Sequence, residues 1–389
     1  MIKIINSSLS KVLVCIGTGM ELVRFAPVIK ALEKRGVAVV TVTLGQRDES
    51  LKGLFELFGL RAQHQLETMC YGKPADVLGS RQLDRLDAVL AEEKPDLVLV
   101  QGDNESAVLG SLAAFNRGIP VGHLEAGQMT GGAQSPYPEG MYRRLVGRIV
   151  GGHFAATEAS RRILIEEGSA ADSVHVVGNT SVDALHQTLA SRRPGKTVEL
   201  MQQWVAGRRL VLVSEFNGAT GDDELVTAVK ALREFVEGQP DLCMIFPLPS
   251  SPEVRAVVTA ELDCHPRVRL MDPLDYGDTI HLLSGAWLVV SDSGGFQEEA
   301  ASLGVPMIVM NEGWLCAEAV ESGVVRHAGS AVESLRNVLQ SALTDDSWHA
   351  SAGRARDLSG DGHAAARLCD LLLGARSPRF ATQPLRMAA

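Results

Sequence analysis

The amino-acid sequence predicts an α/β protein built on two doubly wound parallel sheets, one in each half of the chain. Three observations lead there. Short apolar runs of strand length alternate with segments of helical spacing along nearly the whole sequence. Many of these runs end in glycine-containing turns, where open parallel sheets place ligands. A polar stretch near the middle, Arg192-Arg193-Pro194-Gly195-Lys196, interrupts the alternation as a linker does. The 389 residues suffice for two domains with a substantial core. The expected domains are 1–190 and 191–375, with a polar tail over 376–389.

Val12-Leu13-Val14-Cys15-Ile16 reads as the first strand, and Gly17-Thr18-Gly19 turns it into a helix through Leu32 and Lys34. Pro27 inside that segment predicts a kink or a later helix start. The spacing is not G-x-G-x-x-G, so a dinucleotide site has little support. Val37 to Leu44 gives the second strand, and Gln82 to Glu93 a helix that stops before Pro95. The strand Leu97-Val98-Leu99-Val100 runs into Gln101-Gly102-Asp103-Asn104, and Ala107 to Phe115 is helical. Pro120 opens a strand that ends in His123-Leu124-Glu125-Ala126-Gly127. Two consecutive strand ends thus deliver Asp103 and Glu125 to the ligand side of the sheet, unless both merely cap the helices that follow. Glu139 adds a carboxylate in the loop Ser135-Pro136-Tyr137-Pro138-Glu139. A helix from Arg143, a strand His153 to Ala156, a further helix and His175-Val176-Val177 complete this half.

The second half repeats the alternation in Leu210–Val213, Leu242–Phe246, Val268–Met271, Trp287–Val290 and Met307–Met310, and the last helix spans Ala364–Leu373. Its most distinctive stretch is Ser291-Asp292-Ser293-Gly294-Gly295-Phe296-Gln297-Glu298-Glu299. Glycines at a strand-to-helix turn let the backbone approach a ligand, and the free N–H groups of a helix start favour an anion. Glu298 and Glu299 fall in the first turn, one placed to reach a ribose and the other to face solvent. An ordinary turn with an N-cap serine and acidic first-turn residues fits the same residues.

Composition narrows the function classes. Apolar residues make up 46% and aromatics 5%, as suits an α/β enzyme rather than a disordered chain. A formal net charge of −10 argues against a general nucleic-acid-binding surface. No stretch approaches the roughly 18 uninterrupted apolar residues of a membrane span, and the amino terminus does not resemble a signal peptide, so a cytoplasmic protein is expected. The 6 cysteines are scattered without paired spacing, and neither a disulfide framework nor a metal or other cofactor is expected.

Taken in order, the motifs resemble those of the non-hydrolysing UDP-N-acetylglucosamine 2-epimerases. The matching segments are Gly17-Thr18 with Glu21 and Ala26-Pro27, Gly102-Asp103, Ser111 to Phe115, and Ile119 to Gly127. Ser135 to Glu139 with Arg143, Gly178-Asn179-Thr180 with Asp183 to Leu185, and Asp292 to Ala300 with Ser302 to Gly304 complete the set. The resemblance implies a GT-B-type arrangement of two Rossmann-like domains with a cleft between them, a nucleotide sugar such as a UDP-sugar as substrate, and a homodimer. It implies diphosphate contacts at Ser293, Gly294 and Gly295 and a hold on the ribose at Glu299. Gly17, Thr18, Arg24 and Arg143 are the further binding candidates, Arg24 standing where the family has lysine. Adjacent arginines on a helix point different ways, so Arg143 and Arg144 also fit a solvated surface. The implied reaction removes the C2 proton, expels UDP to leave a glycal, and re-adds UDP with protonation on the opposite face. Asp103, Glu125 and Glu139 match the family's acidic positions and are the acid–base candidates.

The departures run in one direction. Gly19 and Met20 replace an arginine and a proline after Gly-Thr, Met129 and Cys316 each replace an arginine, and Phe216 and Pro249 each replace a histidine. Phenylalanine cannot move a proton, and cysteine cannot make a bidentate contact. Each lost charged hydrogen bond is worth about 1.5–3 kcal/mol. The acid–base carboxylates survive while the diphosphate clamp is thinned. That pattern keeps two other readings in play: a glycosyltransferase or hydrolase of the same fold acting at C1, and an inactive ligand-binding homologue.

Overall fold

A computed structural model gives the tertiary structure and describes residues 9–45, 49–67, 75–127, 138–214, 222–291, 296–310, 317–329, 331–355 and 358–374. The chain divides into two compact units, Met1–Ala184 with Gly360–Ala389 and Leu185–Ser359. The division therefore falls a few residues before the expected boundary at 190/191, and the described residues 360–374 belong to the first unit instead of closing the second.

The first unit contains β1 (Lys11–Ile16), α1 (Gly19–Lys34), β2 (Ala38–Gly45), α2 (Glu49–Phe58), β3 (His64–Glu67), α3 (Ala75–Glu93) and β4 (Leu97–Gln101). It continues through α4 (Glu105–Asn116), β5 (Val121–Ala126), α5 (Glu139–Ile149), β6 (Gly152–Ala155), α6 (Glu158–Glu166), β7 (Val174–Val176) and the start of α7 (Thr180–Ser191). The strands form one parallel sheet in the order β3-β2-β1-β4-β5-β6-β7. The period-2 alternation of β1 explains its apolar run after Lys11: Val12, Val14 and Ile16 enter one core cluster, and Leu13 and Cys15 enter another. Pro27 lies inside α1 without ending it. Its missing N–H costs one rung of the helix ladder, while the surrounding face is buried.

The second unit carries α8 (Lys196–Val205), β8 (Arg209–Ser214), α9 (Asp222–Glu237), β9 (Leu242–Pro247), α10 (Pro252–Leu262), β10 (Val268–Met271), α11 (Tyr276–Ser284) and β11 (Leu288–Ser291). It then has α12 (Gln297–Leu303), β12 (Met307–Val309), α13 (Ala317–Glu321), β13 (Val325–His327), α14 (Val332–Thr344) and α15 (Asp346–Arg354). The second parallel sheet has the order β10-β9-β8-β11-β12-β13. In both sheets the order reverses beside the first strand of the unit, between β1 and β4 and between β8 and β11. Ligands of open α/β sheets bind at such switch points.

The last helix, α16 (Ala364–Leu373), packs against α1, and Leu368, Cys369 and Leu372 share a core cluster with Leu22, Phe25 and Ile29. The buried Asp183 carboxylate accepts from the Ala364 and Ala365 N–H groups at 3.1 and 2.9 Å, taking the role of an N-cap. Sequence periodicity places this helix but cannot say which sheet it covers. Among the described residues, no helix is long and apolar enough to cross a membrane.

Candidate active site

The β1–α1 and β4–α4 turns meet at the switch point of the first sheet. Thr18 is the N-cap of α1, its hydroxyl accepting from the Glu21 N–H at 3.3 Å, and Asn104 caps α4 in the same way through Ala107. The turns are close: a Cβ built on Gly17 would lie 2.8 Å from the Ser106 Cβ. Gly102, with φ of 72°, takes the left-handed conformation that swings Asp103 out of the strand end.

Asp103 is half-buried and ion-paired with the guanidinium of Arg143, whose side chain is only 8% exposed. Of the adjacent arginines, Arg143 is therefore no solvated surface group, whereas Arg144 is 51% exposed and lies 3.7 Å from Glu167. Glu139 begins α5 one turn before Arg143, which puts the two on the same helix face. Its Oε2 is buried without a hydrogen-bond partner among the described residues. That leaves a free acceptor on an acid–base candidate.

Glu125 is the most constrained member of the group. Its φ is 54°, a left-handed conformation rare outside glycine, and the pairing of β5 with β6 shifts register there. Such strain persists only where surrounding contacts over-determine it. The buried Asn179 donates to Glu125 Oε1 at 2.8 Å, Gln101 donates to Oε2, and Arg24 Nε lies 2.9 Å from Oε1. Burial pushes the Glu125 carboxyl above the usual range, Arg24 and Asn179 pull it down, and the charge of Asp103 pushes it up again. The net direction is up, which suits a group that must hold and release a proton near neutrality.

Glu21 is fully buried beneath both turns, and burial pushes its carboxyl up to about 7 against the pull of its hydrogen bonds. His123, on β5, is packed: its Nε2–H donates to the Gly102 carbonyl at 2.7 Å, and burial lowers its pKa to about 4.

Sequence reasoning named Gly17, Thr18, Arg24, Asp103, Glu125, Glu139 and Arg143, and all of them lie in the first unit. Arg24 and Arg143, read as binding residues, sit on the carboxylates Glu125 and Asp103. Gln101, Asn104, Ser106 and Asn179 received no role. Glu21 was legible in one respect, since Thr18-x-x-Glu21 is a capping-box spacing. At Gly19 a Cβ would approach the Leu54 Cδ1 methyl of α2 to 2.8 Å, so a larger side chain there requires Leu54 to turn aside.

In the second unit, Ser293, Gly294 and Gly295 lie outside the described residues, as do Met129, Phe216 and Cys316. Pro249 is buried beyond β9. Glu299, at the start of α12, is buried, and so is Glu298, which corrects the expectation that one of the pair faces solvent. The reason is packing: α12 contacts α11 and α13, and the Phe296 ring stacks on Tyr276 with centroids 6.2 Å apart. Among the described residues, no group of three or more His, Cys, Asp or Glu side chains could hold a metal ion.

The family model described as UDP-N-acetylglucosamine 2-epimerase matches residues 30–373. The chain belongs to the UDP-N-acetylglucosamine 2-epimerase family. It is 34% identical to the UDP-N-acetylglucosamine 2-epimerase of Escherichia coli (strain K12), over 93% of this chain and 98% of that protein. Among solved structures, the Neisseria meningitidis UDP-GlcNAc 2-epimerase bound to UDP-GlcNAc superposes with a TM-score of 0.85 at 31% identity, covering 93% of this chain and 99% of that one. The S. aureus MnaA structure with UDP gives a TM-score of 0.85 at 29% identity, covering 93% and 96%. These relatives share the α/β architecture of two parallel sheets with flanking helices.

Proposed function

We propose that this chain is an isomerase that inverts C2 of UDP-N-acetylglucosamine by eliminating and re-adding UDP. The observation that carries the proposal is the joint placement of Asp103 and Glu125 at neighbouring strand ends beside the sheet's switch point, each held by an arginine, Arg143 buried and Arg24 half-buried. Membership of the epimerase family favours this reading over glycosyl transfer or hydrolysis at C1, and over an inactive homologue.

In this reading Asp103, Glu125 and Glu139 serve the proton transfers at C2. A proton must leave one face and another must arrive on the opposite face, so at least two positioned groups are needed. Glu125, desolvated and raised, is suited to hold a proton, while Asp103 presents a more open carboxylate. Gly17, Thr18, Arg24 and Arg143 shape the sugar side. Ser293, Gly294 and Gly295 take the diphosphate and Glu299 the ribose, as the family resemblance implies. A cytoplasmic homodimer completes the proposal, and light scattering of the purified protein tests its oligomeric state.

The deciding experiment is proton NMR at C2 of UDP-N-acetylglucosamine incubated with the protein in deuterated water. Deuterium at C2 with a manno product supports the proposal. UDP release and free sugar without C2 exchange would point to hydrolysis at C1, and binding without turnover to an inactive homologue.

A further inference from the structure

Glu21 is not one of the proposed acid–base groups, yet it is fully buried and takes hydrogen bonds from both turns that frame them. From the β1–α1 turn, the Gly17 N–H donates to Oε2 at 2.9 Å and the Thr18 hydroxyl to Oε1 at 3.1 Å. From the β4–α4 turn, the Asn104 side-chain amide donates to Oε1, and Ser106 Oγ lies 2.9 Å from Oε2 and 2.6 Å from Asn104 Oδ1, with one proton to give to either. The Asn104 amide cannot flip without loss, because its Oδ1 already accepts from Ala107 N at 3.1 Å. Each carboxylate oxygen therefore meets a donor that cannot reverse, the Gly17 N–H at Oε2 and the Asn104 amide at Oε1. A carboxylate satisfies them all, whereas a glutamine of the same shape sets an NH2 against either the Asn104 amide or the Gly17 N–H.

We propose that Glu21 is a positioning residue whose carboxylate ties the Gly17–Thr18 turn to the Asp103–Asn104 turn and so fixes where Asp103 meets substrate. The inference rests on the epimerase reading for what Asp103 does, and on hydrogen bonding alone for the tie. Asp103 is then held from two sides, by Arg143 on its carboxylate and by Glu21 through the neighbouring Asn104.

The test exchanges the two polarities. Glu21→Gln alone puts amide against amide, and Asn104→Asp alone puts carboxylate against carboxylate. The pair Glu21→Gln with Asn104→Asp restores a donor facing an acceptor, and the second oxygen of the introduced carboxylate still caps α4. Turnover of UDP-N-acetylglucosamine and amide hydrogen exchange at Gly17 and Ala107 are measured on the same folded samples. Each single variant should lose about 10- to 100-fold in kcat with KM changed little, and should speed exchange at one of these amides. The double variant should recover most of kcat and the protection. Ser106→Ala removes one donor without adding a mismatch, and it should give a smaller loss of the same kind if a single variant does not fold. A Glu21→Gln protein with wild-type kcat and exchange would overturn the inference, as would a double variant no better than either single. The exchange readout needs no turnover, so an inactive wild type overturns the functional reading while amide protection still decides the tie.

Discussion

Replacing Asn179 by alanine removes two hydrogen bonds at once. Asn179 is 1% exposed; its Nδ2 donates to Glu125 Oε1 and its Oδ1 accepts from Ser181 N, both at 2.8 Å. A buried hydrogen bond to a charged group contributes about 1.5–3 kcal/mol. Loss of a cap at the start of α7 adds about 1 kcal/mol. The loss is then about 2.5–4 kcal/mol, which for a unit of this size lowers its melting temperature by roughly 5–15 °C. The same change removes one of the contacts that orient Glu125, and kcat should fall about 10- to 100-fold even well below the new melting point. Asn179→Asp separates the two effects. It keeps the acceptor for Ser181 N but sets a second carboxylate against Glu125, so one proton must be shared. Its defect should be severe at pH 8 and should shrink as pH falls, whereas that of Asn179→Ala should not. Thermal melting and initial rates on both variants check the argument. A melting point within about 2 °C of wild type for Asn179→Ala, or wild-type behaviour of Asn179→Asp at pH 8, would refute it.

Three further outcomes are expected. Arg143→Ala should cut kcat by about 10- to 100-fold, and Arg143→Lys should recover only part of it, because a buried guanidinium and an ammonium are not interchangeable; initial rates at saturating substrate measure both. Burial lowers His123 to about 4 and His153 to about 3 from an ordinary value of 6.5. The unfolded chain therefore binds more protons below that value, so stability is full above pH 6.5 and falls as pH drops towards 4. Denaturant melts from pH 7.5 to 4.5 should show that slope, and His153→Asn should flatten it. Asp183→Ala should uncap α16 at a cost of about 1–3 kcal/mol, seen as faster amide exchange in residues 364–373 before the rest of the first unit opens.

Much of this architecture is written in local pattern. The apolar runs at the centres of β1, β4, β8 and β11 and the helices between them specify two parallel sheets, because a strand buried on both faces has no polar alternation to confuse it. Asp103 and Glu125 were legible because consecutive strands end at them, and the ends of parallel strands share one side of a sheet. Short strands such as β3 and β13 were not, since their periodicity is weak and their place is set by neighbours.

What the sequence by itself determined was therefore the fold class, the ends of the strands and the carboxylates standing there. Tertiary structure alone decided the partners: Arg143 on Asp103, Arg24 and Asn179 on Glu125, Glu21 beneath two turns, and α16 on the first sheet. Asn179 lies 54 residues from Glu125, and Asp183 lies 181 from Ala364. No local periodicity carries such pairings. They arise when the sheets bring distant turns together and each buried charge must find its complement.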